Sequence, residues 1–241
     1  MSLDKTERAA KASELGVEKL NLSLTDPSIV ELWASEIISP TLWTVTDPAT
    51  NPLAVVTDAG VYPGMAVVLF DVEDAENARL IGKANRIRYR VMPTVLSTSF
   101  MLKKLVMEFE IYFNDIAQID QTTAFMGLVK TAAAIRTTND IVGLGFAANT
   151  LVSVTDNAAT EEAKTGFGDT LEDTWNKVRI EVQNTNVNFF VNEALVSSHY
   201  TPASLPTALM YPTWYFDSLG GGADTFEVYL GAVKIGYVDI D

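Results

Sequence analysis

The sequence predicts an all-β protein in which two antiparallel sheets pack face to face. From residue 42 onward, short runs rich in β-branched and aromatic residues alternate with Gly, Pro, Asn and Asp, which is typical of strands joined by turns. These runs number about eleven, which suits a two-sheet sandwich. They are residues 54–57, 66–70, 86–91, 105–113, 124–129, 141–146, 151–154, 175–183, 187–191, 214–217 and 225–235. A chain of 241 residues can bury a full core, and sandwiches of this length commonly form one domain.

A helical extension is predicted ahead of the sandwich, with residues 1–41 in the extension and residues 42–241 in the sandwich. Residues 4–15 are rich in Ala, Lys and Glu, and Gly16 follows them at the position of a C-cap. The apolar face of this first helix is thin. We therefore expect it to need a packing partner.

Residues 27–38 form the second candidate helix. Asp26 is a good N-cap, Pro27 fits the first helical position, and Pro40 ends the helix. We interpret Trp33 as an interface residue of this extension. The extension packs either on the body or on a neighbouring subunit, or it serves as an arm that docks the protein into an assembly.

Residues 175–199 predict three consecutive antiparallel strands. Apolar and polar residues alternate in the first two strands, which is the period of a strand with one buried face. The inward rows are Val178, Ile180 and Val182, then Val187, Phe189 and Val191. Turns are predicted at residues 184–186 and 192–193. We interpret Trp175 and both apolar rows as core.

Composition restricts the classes of partner. The chain has 31 acidic and 17 basic residues and a net charge of -14, so its field repels a phosphate backbone and disfavours nucleic acid. It has no cysteine, which excludes disulfides and thiolate metal sites. Neither a secretory signal nor an apolar run long enough to span a membrane is visible, which predicts a soluble virion or cytoplasmic protein.

A serine hydrolase triad is disfavoured. The chain has one histidine, His199, which directly follows Ser197 and Ser198 near the end of a strand, and no G-x-S-x-G elbow is present. We interpret His199 as structural, and we expect no catalytic residues.

Two carboxylates on one strand are the enzymatic alternative. In residues 105–113, Glu108 and Glu110 project from one face, whereas Met107, Phe109 and other apolar residues project from the opposite face. A retaining glycosidase uses two acids about 5 Å apart. The other interpretation is a solvent-facing row that continues with Tyr112.

Calcium is the one metal that the acidic loops could bind. The candidate ligands are Asn114, Asp115 and Asp120 in one loop and Asp156, Asn157, Glu161 and Glu162 in another. The spacing fits no strict template, and acidic loops are expected by chance in so acidic a chain. We therefore expect no metal or other cofactor.

Three arginines line one face of a candidate strand. Arg86, Arg88 and Arg90 alternate with apolar or aromatic residues, and like charges in a row repel unless acids face them. We interpret them as interface residues that pair with an acidic surface of the protein or of a neighbouring subunit, in preference to an external anionic ligand.

Aromatic residues near the C-terminus could stack on a sugar. Alternation places Trp214 and Phe216 on one strand face and Tyr215 on the other, so core packing explains part of the group. The candidate ligand-binding residues are Tyr112, Trp214 and Tyr215.

Several strand sequences resemble a known family. W-N-K-V-R-I-E-V, V-N-F-F-V-N-E-A-L-V-S-S-H and the last strand T-F-E-V-Y-L-G-A-V-K-I resemble the C-terminal half of concanavalin A-like or laminin-G-like jelly rolls. L-V-M-E-F-E-I-Y-F and F-M-G-L-V are similar to the strands that precede it there. The resemblance covers residues 42–241 and is greatest to the non-enzymatic phage virion members. Where the family usually has Asp-Gly, this chain has Asn192-Glu193.

The resemblance implies a jelly roll and several classes of function, because lectins, glycan-binding modules, β-glucanases, adhesion domains and phage particle proteins share it. Glucanases of the family carry an E-x-D-x-E row on one strand. Matched from Glu108, this chain has Glu110 and then Tyr112, so the last carboxylate is missing and the middle one is altered. That departure argues against a hydrolase.

The sequence thus favours a non-enzymatic structural or interaction protein, and we expect a bacteriophage virion component such as a capsid decoration, tail or fibre subunit. Its partners would be further copies of itself or other virion proteins. The alternative is a carbohydrate-binding, lectin-like module whose partners are glycans, and the third interpretation is a glycoside hydrolase using Glu108 and Glu110.

Overall fold

A computed structural model of the protein describes most of the chain between Trp43 and Asp239. The described residues are 30–32, 43–46, 53–56, 67–72, 77–82, 89–90, 103–131, 140–158, 160–164, 171–183, 185–206, 208–219 and 226–239. Their strands are β1 (Val30–Leu32), β2 (Trp43–Thr46), β3 (Ala54–Val56), β4 (Val67–Val72), β5 (Asn77–Gly82), β6 (Tyr89–Arg90), β7 (Lys103–Phe113) and β8 (Phe125–Val129). The later strands are β9 (Asp140–Ala147), β10 (Thr150–Asn157), β11 (Glu161–Lys164), β12 (Trp175–Val182), β13 (Val187–Val191), β14 (Ala194–His199), β15 (Leu209–Asp217) and β16 (Phe226–Asp239). The described ranges also contain two short 3-10 helices, at Ile116–Gln118 and Pro202–Ser204.

The strands form two antiparallel sheets, as the sequence predicts. The first sheet has the order β14-β13-β12-β7-β16-β4-β3, and β1 also pairs with β16. The second has the order β11-β10-β9-β8-β15-β5-β2, and β6 also pairs with β15. The long strands β7 and β16 lie next to each other in the middle of the first sheet.

Large aromatic side chains fill the space between the sheets. The ring of Trp214 on β15 lies 5.6 Å from that of Trp43 on β2 and 5.5 Å from that of Phe109 on β7. Phe113 packs edge-to-face against Phe146, with ring centroids 5.4 Å apart. Because these rings come from both sheets, they join the two layers into one apolar core.

The prediction of three consecutive strands in residues 175–199 is confirmed. β12, β13 and β14 pair in order beside β7, with Val191 opposite Ala194 at the second turn. Asn192 and Glu193 both have positive φ angles, 49° and 69°, as a two-residue hairpin turn requires. This meander occupies one end of the first sheet, and β14 is the terminal strand.

The second predicted helix is wrong at the three of its residues that the structure describes. Val30–Leu32 form β1, which pairs antiparallel with residues 233–235 of β16. β4 pairs with β16 only at residues 226–230, so β1 occupies the next part of the same edge. Backbone pairing with a long strand overrides the local helix signals here. Trp33 and the first candidate helix lie outside the described residues.

The outer face of the second sheet is also apolar, which the sequence did not predict. Its second buried cluster comprises Ile81, Phe125, Val129, Ile141, Val152 and Val154, with Tyr211 and Tyr215 packed against it. Strands β8, β9 and β10 are therefore buried on both faces. Within the described ranges, the structure contains no helical segment with the length and hydropathy that a membrane crossing requires.

Candidate functional site

The outer face of the first sheet carries an ordered set of charges. We call this set the charged face; it consists of Lys104, Glu108, Glu110, Lys177, Arg179, Glu181 and Lys234. All seven side chains lie on the three adjacent strands β7, β12 and β16. The apolar residues that alternate with Glu108 and Glu110 point into the core, as the sequence predicts.

Strand register places opposite charges beside each other. Glu108 is the cross-strand partner of Arg179 on β12 and of Lys234 on β16, so its carboxylate lies in a row between two cations. Glu110 is paired with Lys177 in the neighbouring row. Opposite charges at such positions stabilise a sheet.

Ion pairs connect the rows. Lys177 Nζ lies 3.4 Å from Glu108 Oε1, which is longer than a good hydrogen bond and is best described as an ion pair. Glu181 receives two contacts, at 3.0 Å from Lys104 Nζ and at 3.3 Å from Arg179 Nε.

Glu108 and Glu110 are buried, although a row facing open solvent was one of the two interpretations of the sequence. Their exposed fractions are 3% and 7%. Burial raises the pKa of Glu108 to about 7, because the desolvation of its carboxylate outweighs the attraction of Lys177, Arg179 and Lys234. The neutral and the ionised forms of Glu108 are therefore both populated near neutral pH.

Three half-buried aromatic rings adjoin the charged face. We call them the aromatic row; they are Trp175 on β12, Tyr112 on β7 and Tyr229 on β16. Tyr112 is the cross-strand partner of both other residues. Its ring centroid lies 5.9 Å from that of Trp175 and 5.7 Å from that of Tyr229.

Carboxylates orient the two tyrosines of the row. Tyr112 donates a hydrogen bond to Asp173 Oδ1 at 3.1 Å, and Tyr229 donates one to Glu227 Oε2 at 3.1 Å. Burial is the first cause that raises the pKa of Tyr112, and its contact with Asp173 adds to the effect. The Tyr112 phenol therefore keeps its proton at neutral pH.

Gly231 allows the aromatic row and the charged face to meet. It lies where β16 shifts register against β7, between Leu230 and Val233. A Cβ atom on Gly231 would lie 3.1 Å from Glu110 Cβ and 3.3 Å from Trp175 Cζ3. The absent side chain thus lets Glu110 and Trp175 approach each other over β16.

Chemically, this surface can bind a polar ligand that also has an apolar face. The carboxylates accept hydrogen bonds, the lysine and arginine side chains donate them, and the rings offer surfaces for stacking. The proximity of two acids also permits acid–base chemistry, provided that a substrate reaches them.

The structure separates the three predicted ligand-binding residues. Tyr112 belongs to the aromatic row, but Trp214 lies in the core with no exposed surface, so its ring is not available to a ligand. Tyr215 lies on the outer face of the second sheet, where the Arg79 guanidinium is 4.3 Å from its ring centroid. Its hydroxyl donates to Asp217 at 3.2 Å.

Trp175, which the sequence pattern assigned to the core, is instead half-buried on the outer face, and that interpretation was wrong. Trp175 has the same parity as Lys177 and Arg179, so its phase along β12 already pointed outward. Tyr229 was not identified from the sequence. Its alternation with buried Val228 and Leu230 was the available signal.

Of the arginine row, only Arg90 is described. It lies in β6, where it is the backbone partner of Leu209 on β15. Arg86 and Arg88 lie outside the described residues, as does Trp33, so their assignment to an interface stays a prediction.

His199 lies inside the sandwich with no exposed surface. Ser153 Oγ is 2.7 Å from its Nε2, and Thr155 Oγ1 is 2.9 Å from its Nδ1. Ser153 also contacts Ser197 at 2.6 Å, and Glu162 Oε2 lies 3.8 Å from His199 Nδ1. These contacts join β10 of the second sheet to β14 of the first. Because both Ser153 and His199 are buried, the cluster suits a structural role.

Several carboxylates of the candidate calcium loops accept hydrogen bonds from the protein itself. Asp115 Oδ1 accepts from Ala117 N, and Asp120 Oδ1 accepts from Thr122 N, each at 2.9 Å. In the other loop, Glu162 accepts from Ser204 Oγ at 3.1 Å. Among the residues that the structure describes, no cluster of three or more His, Cys, Asp or Glu side chains could hold a metal ion.

The chain matches no protein-family model and no curated protein sequence. It does resemble solved structures. An endo-β-1,4-glucuronan lyase from the fungus Trichoderma reesei has a TM-score of 0.58 at 10% identity, over 86% of this chain and 94% of the lyase. A Bacillus licheniformis β-glucanase has a TM-score of 0.53 at 10% identity, over 88% and 99%. The chain has the concanavalin A-like jelly-roll fold.

The same jelly roll occurs in a botulinum neurotoxin type C whose cell entry depends on interaction with two ganglioside molecules. The TM-score is 0.52 at 11% identity, and the match covers 83% of this chain but only 44% of the toxin chain. At such identities the likeness shows the fold alone. The jelly-roll neighbours include both enzymes and binding domains, so the site must indicate the function.

Proposed function

We propose that the protein is a non-enzymatic interaction protein that binds a carbohydrate through the aromatic row and the adjoining charged face. The observation that carries this proposal is the placement of Trp175, Tyr112 and Tyr229 on three adjacent strands, half-buried and next to Glu110. Sugars have an apolar face that stacks on aromatic rings and hydroxyl groups that need both donors and acceptors. The two sets of residues supply these features together.

The charged face favours binding over cleavage. Glu108 is almost fully buried and has three cations around it, an arrangement that stabilises a sheet and leaves little surface for a reacting sugar. The solved structures that share the fold add limited support for carbohydrate binding. They include a botulinum neurotoxin whose cell entry depends on gangliosides, a glucuronan lyase and a β-glucanase.

A glycan array tests the proposal. The wild-type protein is expected to bind a subset of glycans, and Trp175→Ala is expected to weaken that binding at least about tenfold through the loss of stacking. Leu219→Ala is a matched control, because Leu219 is also a large, exposed apolar residue and is not a member of the aromatic row. A wild-type protein that binds no glycan on the array contradicts the proposal.

A glycoside hydrolase is the second candidate, and the raised pKa of Glu108 favours it. A carboxyl with a pKa of about 7 suits a general acid, and Glu110 would be the other carboxylate. Reducing-sugar release from the glycans bound on the array, compared between wild type, Glu108→Gln and Glu110→Gln, separates the two candidates. Release that both variants abolish would support the hydrolase and exclude a purely binding role.

A bacteriophage particle is the setting that we propose for this interaction. The acidic, cysteine-free composition of the chain supports it. A decoration, tail or fibre subunit that binds a surface glycan would combine both proposed roles. Cosedimentation with purified particles of the source phage tests the setting, and failure to cosediment contradicts it without affecting the glycan result.

A further inference from the structure

The terminal strand of the first sheet, β14, carries an unusual concentration of exposed apolar surface. Leu195 lies near its start with an exposed fraction of 57%, and Tyr200 directly follows its end with 62%. Among the described residues, three large apolar side chains are exposed, and two of them are these. Single exposed apolar residues are common on protein surfaces. Two of them at opposite ends of one terminal strand mark the edge of that strand as a candidate interaction surface.

Neither terminal strand of the second sheet has this feature. β11, the end strand of the second sheet on the same side, has the sequence Glu-Glu-Ala-Lys, and charged residues protect an edge against pairing with another chain. β2 exposes two threonines, Thr44 and Thr46. From Ala194 to Tyr200, by contrast, the chain has no Asp, Glu, Lys, Arg or Pro. Of β2, β11 and β14, only β14 combines an uncharged sequence with exposed large apolar side chains.

We propose that β14 pairs antiparallel with β14 of a second copy of this chain. A two-fold axis through Ser198 makes the edge self-complementary, because it sets Leu195 of one copy beside Tyr200 of the other. The register shift between Phe189 and Phe190 fits this arrangement: it leaves Leu195 opposite Phe190 and Ser197 opposite Phe189. Leu195, Ser198 and Tyr200 then lie on the outer face of both copies.

Charge supports a second copy as the partner at this edge. Each chain carries a net charge of -14, so two copies repel each other over most of their surfaces. An edge without charged side chains is where two such chains approach with the least repulsion.

The edge is held in place before any partner arrives. Ser197 contacts Ser153 at 2.6 Å, and His199 contacts both Ser153 and Thr155, so β14 is fastened to β10 of the other sheet. Little conformational entropy is therefore lost in this strand when two copies associate. The dimer has one continuous first sheet with both aromatic rows on the same side, which suits bivalent binding to a glycan-coated surface.

Light scattering coupled to size exclusion tests the proposal on the full chain. The wild type is expected to be a dimer, and Leu195→Lys is expected to raise its dissociation constant at least about tenfold, since lysine on an edge strand opposes pairing. Leu219→Lys, at an exposed position of the same type, changes the total charge equally and is expected to stay dimeric. A monomeric wild type, a dimer indifferent to Leu195→Lys, or equal dissociation by both variants overturns the proposal.

A crosslink locates the axis independently of any destabilised variant. The chain has no cysteine, so Ser198→Cys introduces a single thiol. Residues directly opposite in an antiparallel pair have Cβ atoms about 4.5–5.5 Å apart, and oxidation is expected to give a disulfide-linked dimer in high yield. Leu219→Cys is the control. A dimer in which Leu219→Cys crosslinks as readily as Ser198→Cys contradicts pairing through β14.

Discussion

Lys177 Nζ forms its ion pair with Glu108, at 3.4 Å from Oε1, although the backbone partner of Lys177 is Glu110. The contact therefore runs diagonally between neighbouring rows of the charged face. Lys177 thus connects the row of Glu108, which is surrounded by cations, to the row of Glu110, which lies beside Trp175 over Gly231.

Glu108 should make the stability of the protein depend on pH. Its pKa rises from the usual 4.5 to about 7 on folding, so the folded state holds the proton more tightly between these values. The free energy of unfolding therefore falls as the pH rises from about 4.5 to about 7, by about 2–3 kcal/mol in total. Urea unfolding at several pH values measures this slope.

Glu108→Gln is the matched variant for that measurement, because Gln is a neutral isostere. It is expected to flatten the slope and to leave the protein at least as stable as wild type at pH 8. Burial also raises the pKa of Asp217, which adds to the slope in both proteins, so the difference between the two curves isolates Glu108. An unchanged slope in Glu108→Gln contradicts the assignment.

Ser153→Ala should destabilise the protein by about 1–3 kcal/mol, because it leaves His199 Nε2 buried without its 2.7 Å partner. Ser198→Ala serves as the comparison. Ser198 lies on the outer face of β14 and donates to Asn188 at 2.7 Å, in a partly exposed position where water can substitute. Denaturant unfolding gives both values. Equal costs would show that the buried cluster does not hold the sheets together.

Glu193→Gly should stabilise the protein by about 1 kcal/mol, since Glu193 adopts a φ of 69° and glycine has no Cβ penalty there. The same turn usually reads Asp-Gly in the family that the sequence resembles. Glu193→Ala, which keeps the penalty, should bring no such gain. Thermal unfolding of the three proteins decides the matter, and a destabilised Glu193→Gly would indicate that the Glu193 side chain itself matters.

Strand parity predicted much of the fold. The alternation in β12 and β13 gave the meander, and the alternation in β7 gave the opposite directions of Glu108 and Phe109. The interpretation of Trp175 as core was wrong because it rested on the large apolar side chain of tryptophan. The position of Trp175 in the alternation along β12 places it on the outer face instead. A large aromatic residue suggests a core, but only its parity with Lys177 reveals its direction.

Other features depend on contacts that no local pattern encodes. β5 has the sequence Asn-Ala-Arg-Leu-Ile-Gly, whose poor strand propensity is overridden by pairing with β15 and β2. β1 was interpreted as helix because Asp26 and Pro27 are good local signals, whereas its strand partner lies near the other end of the chain. Ser153 and His199 are 46 residues apart, so their contact arises only when the two sheets pack.

Gly231→Ala should weaken glycan binding more than it weakens the fold. Its new Cβ would lie 3.1 Å from Glu110 Cβ, 3.2 Å from Glu110 Oε2 and 3.3 Å from Trp175 Cζ3, so both neighbours must move by a few tenths of an ångström, at a cost of about 1–3 kcal/mol. Gly143→Ala, in contrast, places a Cβ against the backbone carbonyl oxygen of Met126, and we expect it to unfold the protein or to cost more than about 3 kcal/mol. Calorimetric titration and unfolding of both variants measure the two effects. Unchanged glycan affinity in Gly231→Ala would remove Glu110 and Trp175 from the site.

Tryptophan fluorescence during a glycan titration tests the central claim most directly. Among the tryptophans that the structure describes, Trp175 is half-buried beside the charged face, whereas Trp43 and Trp214 are buried in the core. Carbohydrate binding at the aromatic row predicts a saturable change in emission that Trp175→Phe abolishes while the protein stays folded. A glycan that binds without changing the emission, or that gives the same change in Trp175→Phe, would contradict binding at this face.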